Sequence, residues 1–315
     1  MDLTIVVPVF NEEESLPELI EWITRVSDKE NLKYEILLVD DGSKDASWKV
    51  IKALSQQCKA IRGVKFQRNY GKAAALQCGF TLAEGEVVIT MDADLQDSPD
   101  EIPALVAMIR EQGYDLVSGW KRKRKDPISK RWPSKFFNFI ARLNSGIKLH
   151  DFNCGLKAYR KEVVKSIEVF GDMHRYTPVL AKRAGFSRIG EKVVHHSERK
   201  YGQTKYGWER LFTGALDLLT VSFITRFAKK PMHFFGSLGM LMMLFGLAVT
   251  AWLAGIKIHA ISTHQDYRQI TDQPLFYLAI LAVIIGVQLF LTGFLAELVS
   301  RSAADRNKYL ISEEI

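Results

Sequence analysis

The 315-residue chain predicts an α/β fold: a mostly parallel sheet with helices on both faces, extended by interfacial helices and two transmembrane helices. Three observations predict it. Short apolar runs alternate with amphipathic stretches over residues 1–120, the pattern of repeated βα units. Carboxylates follow two of those runs, at Asp40-Asp41 and at Asp92-Ala93-Asp94, where open α/β sheets bind ligands. Two later stretches, 234–256 and 275–299, are almost wholly apolar, and each exceeds the roughly 20 residues that cross a bilayer core.

The elements follow in order. Strands are predicted at 3–9, 35–39, 63–67, 87–91 and 115–118. Helices are predicted between them at 14–26, 45–58, 72–83 and 100–112. In the first helix Leu16, Leu19, Ile20, Ile23 and Val26 form one apolar stripe. After residue 120 the pattern changes to a basic run, Lys121-Arg122-Lys123-Arg124-Lys125, then Lys130-Arg131-Trp132. Over about 132–147, Phe136, Phe137, Phe139, Ile140 and Leu143 share a helix with Lys135 and Arg142. That pattern predicts a basic helix lying on a membrane surface; an ordinary surface helix packed on the sheet is the alternative. A second such helix is expected at about 208–227. The expected domains are a catalytic part at 1–206, an interfacial linker at 207–230, a transmembrane hairpin at 231–300 and a tail at 301–315.

The formal net charge is +7. Arg226, Lys229 and Lys230 precede the first span, and Arg301, Arg306 and Lys308 follow the second. The loop between them, 257–273, is short and mixed in charge. The positive-inside bias puts both termini and the catalytic part in the cytoplasm, at an inner or plasma membrane. The start, Met1-Asp2-Leu3-Thr4-Ile5-Val6-Val7, reads as a short strand without a basic n-region, so no cleavable signal is expected there. Cys58, Cys78 and Cys154 match no zinc spacing and no disulfide framework, in keeping with a reducing compartment. The basic run is expected to meet phosphate or lipid head groups, and no nucleic-acid partner is expected. Gly236, Gly239, Gly246, Gly286 and Gly293 would allow close helix approach, including in a homo-oligomer.

Asp92 and Asp94, one residue apart at a strand end, can hold a hard divalent cation against a diphosphate. A solvated acidic loop is the bland alternative, weakened by the second acidic strand end. Asp40 and Asp41 can accept a base N–H or ribose hydroxyls. Turn capping explains one of the two, because Asp-Gly-Ser is good turn chemistry. His195 and His196 would point to opposite faces of a strand, which argues against paired metal ligation. Cys154 reads as a small packed side chain.

Four motifs then occur in order: Ile5-Val6-Val7-Pro8-Val9-Phe10-Asn11-Glu12, Val39-Asp40-Asp41-Gly42-Ser43, Asn69-Tyr70-Gly71-Lys72 and Asp92-Ala93-Asp94-Leu95-Gln96-Asp97. In them the chain resembles a family 2 glycosyltransferase of the GT-A fold, in the dolichol-phosphate mannose synthase and polyprenyl-phosphate glycosyltransferase branch. The likeness covers roughly residues 1–230, and the tail resembles bacterial membrane-anchored members. It implies Mg²⁺ or Mn²⁺ held by Asp94 and Gln96, with Asp92 close by. It implies a nucleotide-sugar donor, UDP- or GDP-linked, contacted by Pro8, Phe10, Glu12, Asp40, Asp41, Lys72, Asp92 and Ala93. Related sequences carry Arg after the fifth strand; here Lys121 and Arg122 share that place, and which one meets phosphate is open.

The resemblance further gives Arg199 and Lys205 as phosphate-binding cations, and Arg131 and Ser134 as contacts of the acceptor phosphate. Asp151 falls at the acidic position of Asp151-Phe152-Asn153-Cys154-Gly155-Leu156-Lys157. A phosphate acceptor is mostly dianionic at neutral pH, so Asp151 is expected to orient sugar or acceptor, with base catalysis secondary. A turn cap is its alternative use. The implied reaction is an inverting, metal-dependent transfer to undecaprenyl or dolichyl phosphate at the cytoplasmic face, in envelope glycan synthesis. A processive polysaccharide synthase is a poorer match, because the chain lacks a Gln-x-x-Arg-Trp element and two spans make a poor channel. A non-catalytic, membrane-tethered nucleotide-sugar binding protein is the rival from another class.

Overall fold

The structure, a computed structural model, describes residues 1–122, 138, 141–142, 145–171, 173–198, 200–201, 231–264 and 268–302. The interfacial helix expected at 132–147 is represented only by helical Asn138, Ala141, Arg142 and Ser145. The one expected at 208–227 lies outside the described residues, as do Arg131, Ser134, Arg199 and Lys205.

Two compact units emerge, Met1–Ser222 and Phe223–Ile315. The first is built on seven strands: β1 (Leu3–Val9), β2 (Tyr34–Asp40), β3 (Ile61–Lys65), β4 (Val87–Thr90), β5 (Leu116–Trp120), β6 (Lys157–Arg160) and β7 (Ile189–Val193). They form one sheet in the order β3-β2-β1-β4-β6-β5-β7. Only β6 runs antiparallel, against β4 on one side and β5 on the other. The five predicted strands are all present, with ends shifted by a few residues. Strands β6 and β7 were not predicted. Both carry charged residues at positions an apolar pattern would skip, Lys157 and Arg160 in one, Glu191 and Lys192 in the other.

The sheet is flanked by α1 (Leu16–Lys29), α2 (Ser47–Gln57), α3 (Lys72–Leu82), α4 (Ile102–Arg110), α5 (Lys161–Ser166) and α6 (Thr177–Arg183). Strands β1, β2 and β4 are buried along nearly their whole length, as expected of a parallel sheet covered on both faces. The predicted stripe of α1 is buried in the core. Pro99–Glu101 is a 3₁₀ turn before α4, with Ser98 accepting from the Asp100 N–H at 3.3 Å, so that helix begins later than predicted.

The second unit holds α7 (Pro231–Ser262) and α8 (Pro274–Ser302), packed along each other. Both are long and apolar enough to cross a membrane, and most of each stays exposed. Their glycines are spent on each other. A Cβ on Gly239 would meet the Gly286 carbonyl at 2.6 Å, one on Gly246 the Ala279 carbonyl at 2.5 Å, and one on Gly293 the Gly236 N at 3.1 Å. These residues, read from sequence as a possible oligomer contact, thus seat the hairpin itself.

Candidate active site

The site is assembled where parallel strands end. After β1 the chain turns at Asn11, whose φ of 52° lies in the left-handed region. Its amide donates to Ser43 Oγ at 2.9 Å and its Oδ1 accepts from Lys44 N at 2.8 Å. The Glu12 amide donates to Ser47 Oγ at 2.9 Å. Pro8, Phe10 and Glu12 are therefore pinned beside the β2 end, and all three are half-buried. Asp40 is fully buried; its Oδ1 accepts from Ser43 N at 2.9 Å, while Oδ2 has no partner among the described residues. That oxygen is a buried acceptor with unused hydrogen-bonding capacity at the strand end. Gly42, with φ of 70°, lies so close to Arg68 that a Cβ would fall 2.4 Å from its carbonyl carbon.

Asp41 does something the sequence did not show. Its two oxygens accept from the amides of Tyr70 at 2.7 Å and Gly71 at 2.9 Å. Burial raises its pKa, those amides offset part of the rise, and Asp40 adds to it. Asp41 thereby staples the Asn69–Lys72 motif to the β2 end, and Lys72 opens α3 from that staple.

Lys72 pairs with Asp92. Burial works against the charge on Asp92, but Lys72 and then Lys121 outweigh it and hold the carboxyl down at about 2. Gly155 lies directly against this carboxylate; a Cβ there would meet Asp92 Oδ2 at 2.5 Å. Leu95, at φ 59°, bends the turn, and the Gln96 amide donates to Asp94 Oδ1 at 3.2 Å. Asp94 is buried and Gln96 half-buried. Among the described residues no group of three His, Cys, Asp or Glu could cage a metal. With Asp92 engaged by Lys72, Asp94 and Gln96 are the side chains of this turn that could offer oxygens to a cation. That suits a hard cation that completes its shell with phosphate and water.

The continuation of this turn is tied down. Buried Asp97 pairs with Lys121 at 2.7 Å and bridges to His196. The Ser197 amide donates to the Gln96 carbonyl at 2.9 Å, and the His195 amide to Glu101 Oε1 at 3.0 Å. His196 thus lies against the Asp94–Asp97 turn, and His195 is tied to Glu101. Burial works against the Lys121 charge, and Asp97 more than offsets it. Arg122 is exposed, 5.9 Å from the Trp120 ring. Of the two cations left open by sequence, Lys121 is committed to Asp97 and Arg122 faces solvent.

Antiparallel β6 brings in the Asp151–Lys157 motif. Thr90 pairs with Lys157 in register, and Thr90 Oγ1 donates to the Gly155 carbonyl at 2.8 Å. Buried Asp151 caps its own turn, accepting from Asn153 N at 3.0 Å, and its amide donates to Glu191 Oε1 at 3.0 Å. Cys154 is buried, and burial pushes its thiol up to about 12, so it is a packed side chain and no nucleophile. Lys157 is buried and donates to the Cys154 carbonyl at 2.5 Å. Burial, with Lys72 adding repulsion, brings its pKa down to about 8.

Sequence reasoning quoted Gly155 and Lys157 in a motif without giving either a role, and it passed over the 3₁₀ turn Met173–Tyr176. A buried lysine inside a strand was the available signal for the second. The turn packs on α3, steadied by the Val169 amide donating to Gln77 Oε1 at 2.7 Å. Burial lowers the pKa of His174, and Lys72, Arg175 and Lys157 lower it further.

Fold and site together define a class, the GT-A glycosyltransferases: a Rossmann-like α/β sheet with acidic ends on β2 and β4. The chain belongs to glycosyl transferase family 2, whose family model matches residues 4–168. It is 37% identical over 305 residues to a dodecaprenyl-phosphate galacturonate synthase of Rhizobium johnstonii, covering 96% of this chain and 88% of that protein. It is 36% identical to an undecaprenyl-phosphate 4-deoxy-4-formamido-L-arabinose transferase of Shewanella sediminis, covering 99% and 92%. Among solved structures, glucosyl-3-phosphoglycerate synthase of Mycobacterium tuberculosis with Mn²⁺ and UDP-glucose shares the fold. The TM-score is 0.55 at 18% identity, over 71% of this chain and 78% of that one.

Proposed function

We propose that the protein transfers a sugar from a nucleotide-diphospho-sugar to the phosphate of a polyprenyl phosphate, giving a lipid-linked sugar phosphate. The observation that carries this is the Asp92–Gln96 turn at the β4 end, with Lys72 paired to its first carboxylate. Similarity to two polyprenyl-phosphate sugar transferases along nearly the whole chain supports the acceptor class.

The donor runs along the strand ends. Its nucleoside lies against Pro8, Phe10 and Glu12 and reaches Asp40 Oδ2. Asp41 acts through the loop it staples. The diphosphate lies over Asp94 and Gln96, which would hold Mg²⁺ or Mn²⁺. That cation supplies Lewis-acid stabilisation of the leaving diphosphate. Asp92, fixed by Lys72 and backed by Gly155, keeps the turn in register beneath the sugar. Ala93 gives the turn its close approach. The acceptor phosphate attacks the anomeric carbon in line, with inversion, and needs little base assistance because it is already mostly dianionic. Asp151 orients it. Arg199, Lys205, Arg131 and Ser134 belong to the same reading and lie outside the described residues.

The catalytic part, 1–206, is cytoplasmic in this reading, and α7 and α8 span the membrane with both termini inside. Their length and exposed apolar surface support that, as do the flanking cations. The test uses full-length protein in detergent with undecaprenyl phosphate, Mg²⁺ or Mn²⁺ and a panel of UDP- and GDP-sugars. A metal-dependent lipid mass gain of one sugar, lost in Asp94→Asn, is the expected result. Nucleotide-sugar binding with no lipid product from any donor would favour a non-catalytic role.

A further inference from the structure

Arg175 is a largely buried side chain, 9% exposed, and its guanidinium nitrogens keep a little solvent contact. It makes no hydrogen bond and no ion pair among the described residues. Beside it His174 carries a buried Nδ1 that is also without a hydrogen-bond partner among them. Burying a charge without a partner is costly, so such a pair points to an anion that completes it. The surroundings favour the same sign. Lys72, Lys157 and Arg175 act on His174, and the carboxylates near this cluster are Asp92 and Asp151. Lys72 is already committed to Asp92.

Position selects among anions. The nucleoside side of the site lies at the ends of β1 and β2, and the cation seat lies at the end of β4. The 3₁₀ turn Met173–Tyr176 follows β6 and α5 in the chain and packs against α3 and α6, and β6 lies on the other side of β4 from β1 and β2. A donor stretched from β2 to β4 leaves that side free for a second substrate. Its diphosphate already has Asp94, Gln96 and the metal, whereas the second phosphate needs its own cations. A planar guanidinium suits a phosphomonoester, which it can grip with two parallel N–H donors.

We propose that His174 and Arg175 form a second phosphate seat, which receives the phosphate of the lipid acceptor while the donor occupies the β1, β2 and β4 ends. The seat rests on the reaction proposed above. It adds binding residues from an element with no sequence motif assigned to it.

The test compares full-length wild type with Arg175→Gln and His174→Gln in detergent. Undecaprenyl phosphate and undecaprenol, which share a tail and differ by the phosphate, are the binding probes, with UDP and GDP as controls. Wild type prefers the phosphorylated lipid. Arg175→Gln loses roughly ten- to hundredfold of that preference and holds the nucleotide unchanged; in turnover the acceptor KM rises and the donor KM does not. An intact preference for the phosphorylated lipid, or a loss confined to nucleotide or donor KM, overturns the seat. Should Arg175→Gln fail to fold, Arg175→Lys decides by the same readings. Wild type that makes no lipid product from any donor defeats the reaction, while the lipid comparison still decides the seat.

Discussion

At the scale of single residues, commitment shapes the site: Lys72 pairs with Asp92, Lys121 with Asp97, and Asp41 accepts from the Tyr70 and Gly71 amides. Asp94 is the residue through which a diphosphate would be neutralised. Asp94→Asn is expected to cut transfer on the order of a thousandfold, as loss of a metal's charge stabilisation does, with unfolding temperature little changed. Gly155 is a sharper probe because it touches no substrate in this reading. Gly155→Ala puts a methyl 2.5 Å from the Asp92 carboxylate. A displacement of that size is expected to lower kcat roughly a hundredfold with nucleotide affinity kept; a kcat equal to wild type would show that Asp92 need not be held there. Lys157 gives a pH signature. Burial brings its pKa down to about 8, so its charge is present below pH 8 and lost above it. Acceptor binding should therefore weaken as pH rises from 8 to 9, and Lys157→Arg should flatten that fall. Part of the arrangement was legible beforehand: Asp40, Asp92 and Asp94 lie at the strand ends where the sequence placed them, and Lys72 opens the third helix as expected. Gly155, Lys157, His174 and Arg175 were not, because their meaning lies in what they touch across the sheet and no local pattern records that.

Among elements, the parallel part of the sheet was readable because β1, β2 and β4 are continuous apolar runs between amphipathic helices. Strand β6 was hidden by its length of four residues and by the lysine that opens it. That lysine reads as surface in any apolar pattern, yet it is 3% exposed. The hairpin of α7 and α8 was readable from composition, while the use of its glycines was not. Gly239→Leu would drive a side chain into the Gly286 carbonyl. Overpacking of this kind costs about 1–3 kcal/mol, so the detergent-solubilised protein should unfold at lower temperature. Gly255, whose Cβ would meet nothing within 4 Å, is the control, and Gly255→Leu should leave the transition in place. Equal loss in both variants would mean that the helices do not pack through Gly239.

For the whole molecule, the proposed topology can be read from labelling. Thr263 lies between the two long helices, on the side predicted to face out. In intact cells a membrane-impermeant maleimide should label Thr263→Cys and spare the native cysteines. In inverted vesicles Cys58 and Cys78, both partly accessible, should react and the introduced cysteine should not; the reverse pattern would overturn the orientation. The position of β6 has a longer reach. Strand β6 is hydrogen-bonded on both flanks, to β4 and to β5, and Gly155, two residues before it, leaves no room for a side chain against Asp92. A strand clamped on two sides is a poor place for a lineage to try new sugars, since any shift there also moves the catalytic turn. Changes of substrate taste should instead accumulate in segments outside that clamp and outside the proposed acceptor seat at Met173–Tyr176. The reaction could then stay fixed while the repertoire of envelope sugars diversifies around it.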